Sequence, residues 1–130
     1  MSALPAPRRI AIAAGADVLA VVAFVLIGRN SHHEDAGAAA AVGVMLPFLV
    51  GLIVAWIAAR AWRDPLPAFP TGATIWLITA SVGLLLRRFA WQRSTALAFV
   101  IVGSVFLLLA LVGWRLITEW VRERRASRPE

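Results

Sequence analysis

One acidic residue stands inside an apolar run: Asp17 interrupts the stretch from Ile10 to Gly28. A carboxylate in such a place can relay a proton, hold a cation or pair with a guanidinium. If the run crosses a bilayer, Asp17 lies seven residues past Ile10, about 10 Å into the membrane. An ionised aspartate at a helix centre costs roughly 2.5–3.5 kcal/mol on insertion scales, so it must face neighbouring helices or take up a proton. Asp17, Val21, Phe24 and Gly28 fall on one helical face, which is expected to point inward. Arg115 and Arg60 are basic residues expected near the same leaflet. A functional carboxylate and a structural ion pair are both open readings at this stage.

The segment Ser31-His32-His33-Glu34-Asp35 gathers two imidazoles and two carboxylates, all potential metal ligands. Adjacent histidines on a turn rarely bind one metal together, and the chain has no other histidine. A solvated turn that starts the next helix is the plainer account, with Glu34 and Asp35 favouring a helix N-terminus. A pH response at His32 is also compatible with imidazole chemistry. No metal or cofactor is expected. Nothing resembles a nucleophile–base pair, a phosphate loop or a nucleotide fingerprint, and a Ser-His-Asp hydrolase is poorly supported. The expectation is a protein that is not an enzyme.

Composition dictates what must position these residues. Hydrophobic residues make up 61% of the 130, with a mean hydropathy of +0.80. So short a chain cannot hide that much apolar surface in a water-soluble core. A bilayer must supply the apolar surroundings. The net charge of +6 rests on 13 basic residues, all arginine, set in short clusters between apolar runs. That is the distribution of a membrane protein rather than of a nucleic-acid binder. Cysteine is absent, which removes disulfides, thiol nucleophiles and thiolate metal sites.

The fold class expected is all-α: an integral membrane four-helix bundle spanning about 10–28, 36–59, 71–89 and 95–117. Residues 1–9 form an N-terminal segment and 118–130 a charged tail, where Glu119, Arg122 and Glu123 can extend the helix through i,i+3 and i,i+4 pairs. Nineteen residues from Ile10 to Gly28 rise about 28 Å, close to the ~30 Å hydrocarbon core. Pro65, Pro67 and Pro70 rule out a continuous helix between the second and third runs. The third run is the shortest, and reaches full span only if Arg87 and Arg88 snorkel to the headgroups. A cleaved leader with Ala36-Gly37-Ala38 as its site is the rival reading of the start. It fits poorly with Asp17 and with the length of the apolar stretch.

With four spans, Arg8, Arg9, Arg60, Arg63, Arg115, Arg122, Arg124, Arg125 and Arg128 share one side, against Arg29, Arg87, Arg88 and Arg93 on the other. The positive-inside rule then places both termini in the cytoplasm, in a bacterial inner membrane. Gly43, Pro47, Gly51, Ala55 and Ala59 recur every four residues on the second helix, with Thr79 and Gly83 on the third. These small-residue stripes are expected to pack helices closely. Trp56, Trp62, Trp91, Trp114 and Trp120 lie near span ends, as an interfacial aromatic belt requires. Trp76 is set deeper. An offset of 58 residues superposes Arg29 on Arg87, Phe48 on Phe106 and Trp56 on Trp114. That suggests two duplicated helical hairpins, although apolar sequence also aligns with itself by chance.

Placed in this order, Asp17, Gly28-Arg29-Asn30-Ser31-His32, Pro47-Phe48, Gly51 and Trp56 resemble a family of small prokaryotic membrane proteins. Gly83, Arg87, Thr95-Ala96, Phe99-Val100-Ile101-Val102 and Gly113-Trp114-Arg115 continue the pattern. The family is the domain of unknown function numbered 3054. The resemblance covers Ile10 to Ile117; a glycine is expected where Ser94 stands. It implies a four-span domain and carries no activity with it.

Function is then expected from Asp17, Arg29, Ser31, His32, Arg87 and Arg115. One reading is a solute or ion pathway in a homo-oligomer, with an anionic lipid or solute at the outer ends of the first and third helices. The alternative is a non-catalytic interaction partner or scaffold whose polar residues close internal salt bridges. Whether Asp17 meets a cavity or a guanidinium discriminates between the two.

Overall fold

The computed structural model describes residues 6–31, 37–89 and 97–127; the side chains of 29–31 and 37–40 fall outside the description. Four α-helices follow in order: α1 Ala6–Ser31, α2 Gly37–Ala59, α3 Ala73–Phe89 and α4 Leu97–Ala126. No strand occurs among the described residues. Each helix has an apolar segment long enough to cross a membrane. The third is the least apolar of the four, and reaches full length by counting from Ala68 to Phe89. The chain is therefore an all-α, four-helix, multi-pass membrane protein.

Large apolar side chains cover the outside. Leu19, Ile53 and Leu109 are 69%, 61% and 68% exposed. No more than 33% of any span's most apolar window is buried inside the bundle. Such a surface is stable only in hydrocarbon, where exposed leucine costs nothing.

The helices form a ring in chain order, with α2 on α3 the most extensive contact and α4 closing onto α1. Small residues set the α2–α3 approach. A Cβ added at Gly51 would sit 2.8 Å from the Thr79 carbonyl oxygen, so the two backbones nearly touch there. A Cβ at Gly83 would collide with the Phe48 ring. Pro47 is fully buried inside α2. Gly43 departs from the expected stripe, because a Cβ there would meet open space. The packed portion of α2 therefore reaches Pro47 and stops short of Gly43.

Away from that stripe, phenylalanines cluster within a core otherwise built of alanine, valine, isoleucine and leucine. Phe24 meets Phe48 edge-on at 5.1 Å and lies 5.7 Å from Phe106 and 6.3 Å from Phe99. Rings from α1, α2 and α4 thus meet in one cluster. Gly103 leaves the room, since a Cβ there would lie 3.2 Å from the Phe24 ring.

The α2–α3 connection is folded tightly against the bundle. Arg60 ends α2 with a left-handed backbone (φ 49°), a conformation costly for a side chain with a Cβ. The single turn Ala61–Arg63 follows, then a wide turn at Ala68–Gly72. Pro65, Ala68 and Gly72 are all buried. A proline-rich segment has few amide donors of its own. Its carbonyls must find partners elsewhere, and one of them does so in the bundle core.

A buried ion pair at the candidate functional site

Asp17 and Arg115 meet inside the bundle, each 0% exposed. Arg115 Nη1 donates to Asp17 Oδ1 and Nη2 to Oδ2, both at 2.8 Å. This paired geometry matches a planar guanidinium fork to a carboxylate. Arg60, the other partner considered from sequence, is exposed on the connection.

Two indoles complete the carboxylate's shell. Trp56 Nε1 donates to Oδ2 at 2.8 Å and Trp114 Nε1 donates to Oδ1 at 2.9 Å. Each oxygen therefore accepts two hydrogen bonds, which fills the roughly four lone-pair directions of a carboxylate. The guanidinium is held with similar completeness. Its Nε donates to the Pro65 carbonyl at 2.9 Å, and Nη1 also donates to the Leu111 carbonyl at 2.9 Å. Its Cζ lies 4.4 Å from the centre of the Trp114 ring, a favourable cation–π position. Gly72 makes the space, because a Cβ there would lie 2.8 Å from Arg115 Cδ.

The network joins three of the four helices and the connection that leads to the fourth. Asp17 comes from α1, Trp56 from α2, Trp114 and Arg115 from α4, and Pro65 and Gly72 from the segment leading to α3. One turn further along α4, Glu119 Oε1 accepts the Ala68 amide at 2.9 Å. The connection is thus fastened to α4 at two points. Glu119, read from sequence as part of a charged tail, spends one oxygen on this bond.

The arrangement is closed. A carboxylate with four donors and no solvent exposure has no site left for water or a cation. A buried ion pair stabilises only when its remaining polar groups are satisfied; here the carboxylate accepts four bonds and the guanidinium donates four of its five N–H groups.

The other sequence candidates lie apart from this centre. Arg87 is half-buried, with its Cζ 4.4 Å from the centre of the Phe99 ring. His32 lies outside the described residues, as do the side chains of Arg29 and Ser31. The expected meeting of Arg29 and His32 with Arg87 at the outer ends of α1 and α3 falls on His32 and on the Arg29 side chain, which lie outside the described residues. α1 contacts α2 and α4, while α3 is drawn onto α2, because Gly51 and Gly83 permit that approach. Among the described residues no group of His, Cys, Asp and Glu is arranged to hold a metal.

The aromatic belt also needs correction. Trp62 and Trp120 are exposed at 46% and 55%, whereas Trp56 and Trp114 turn their indole N–H groups inward onto Asp17. Trp91 lies outside the described residues. Trp76 donates to the Ser104 carbonyl at 2.8 Å, tying α3 to α4. Sequence reasoning missed both tryptophans as ligands of Asp17. The usable signal was the 58-residue offset that equates them, together with Trp114 standing directly before Arg115.

A family model described as a protein of unknown function, DUF3054, matches residues 14–118. No curated protein and no solved structure matches the chain.

Proposed function

The chain belongs to this DUF3054 family, and from that premise we propose a non-catalytic membrane scaffold that presents its outer faces to other membrane proteins. The observation that carries this reading is the closed shell around Asp17: four donors on a fully buried carboxylate. Intramembrane carboxylates that move ions or protons face a wet cavity or an exchangeable partner. Asp17 instead joins helices. The solute-pathway reading now requires a route that bypasses this residue, assembled between subunits of an oligomer. In the cell, the scaffold sits in the bacterial inner membrane with both termini in the cytoplasm, as the arginine bias favours.

Reconstitution into liposomes tests the reading. The wild-type protein is expected to leave proton, potassium and chloride gradients intact. In cells, a photo-crosslinking residue at Leu19, Ile53 or Leu109 is expected to capture a neighbouring membrane protein or a second copy. Flux that disappears in a folded Asp17→Asn variant would overturn the proposal in favour of a pathway.

A further inference from the structure

We propose that the groove between α1 and α2 binds a phospholipid with an anionic headgroup. The groove holds about 220 Å³ and is open on its lipid-facing side; Ala14, Val18, Leu52, Ile53, Ile57 and Trp62 line it, over Trp56. Its lining surface is wholly apolar. Pockets that enclose a drug-sized ligand usually run to about 300–1,000 Å³. A smaller, open, apolar trough suits a length of acyl chain.

Charge at one end of the trough names the headgroup. Trp62 belongs to the single turn Ala61–Arg63. Arg60 and Arg63 flank it, both exposed. Arg8 and Arg9 occupy the first turns of α1, the helix that contributes Ala14 and Val18. Asp64, also exposed, is the one acidic residue in these two stretches. Four guanidiniums against one carboxylate attract an anionic phosphate ester, and basic residues beside a membrane surface favour anionic lipids. Trp62 stands at the junction, where an indole spans apolar chain and polar headgroup. The proposal does not rest on the scaffold reading, since a pathway protein would bind lipid here equally well.

Native mass spectrometry of the detergent-purified protein tests it, with phosphatidylglycerol and phosphatidylcholine added in equal amounts. The wild type is expected to retain phosphatidylglycerol preferentially. The Arg60→Gln/Arg63→Gln variant should lose that preference by about fivefold per arginine. Val18→Trp and Ile57→Trp fill the trough from outward-facing positions, and should reduce retention of both lipids while the thermal midpoint stays near wild type. Arg87→Gln/Arg88→Gln, at the opposite end of the bundle, should keep the preference. An unchanged preference in Arg60→Gln/Arg63→Gln would overturn the proposal, as would an equal loss in Arg87→Gln/Arg88→Gln.

Discussion

Asp17 resolves a choice that its position in the sequence leaves open. A carboxylate about 10 Å into a membrane must be compensated, and the sequence offers basic residues that could do so. Depth alone cannot distinguish Arg115 from Arg60, because both lie near the same leaflet. The connection decides it: Pro65 has a buried carbonyl to satisfy, Gly72 leaves room, and Arg115 fits between them and Asp17. The tryptophans contribute less, since interhelical hydrogen bonds in membranes average about 0.6 kcal/mol. Trp56→Phe and Trp114→Phe each remove one donor while keeping most of the ring. Each is expected to lower stability by about 0.5–1.5 kcal/mol in reversible unfolding from bicelles. Trp114→Phe should cost the more, because the Arg115 guanidinium also rests on that ring. Trp62→Phe, with no such bond, should be close to neutral.

At the scale of elements, the spans were legible because apolar length reports a bilayer crossing directly. The α2–α3 contact was legible in part. Small residues at four-residue spacing mark a close helix approach, yet nothing in that spacing says where the approach ends. Gly51 faces the Thr79 backbone, while Gly43 faces open space. Gly51→Ala is therefore expected to destabilise the bundle by about 1–3 kcal/mol through overpacking. Gly43→Ala should be neutral or slightly stabilising, since alanine is the better helix former. Equal thermal shifts for the two variants would contradict this account of the stripe. Equal depth of Arg29 and Arg87 along the membrane normal likewise says nothing about position around the ring, where the main contacts of α1 are with α2 and α4. Trp56 and Trp114 were read as interfacial for the same reason: depth was visible and rotation was not.

For the molecule as a whole, the apolar exterior and the polar centre express one constraint. With hydrocarbon outside, burial of apolar groups gives little reason for helices to associate, so packing and polar contacts must hold them together. The Asp17 network joins α1, α2, α4 and the connection to α3 at a single point, while the phenylalanine cluster and the Gly51–Thr79 contact bind the rest. The central claim is that Asp17 and Arg115 form a closed structural pair. Reversible unfolding of Asp17→Leu, Arg115→Leu and the double variant, as a thermodynamic cycle in bicelles, tests it most directly. Asp17→Leu strands a guanidinium that cannot shed its proton, and should cost about 3–5 kcal/mol. Arg115→Leu should cost less, because Asp17 keeps its two indole donors. The double variant should recover to within about 1–2 kcal/mol of wild type, since apolar replacement of a buried pair is often nearly neutral. Additive single costs, with the double variant the least stable of the three, would contradict the account.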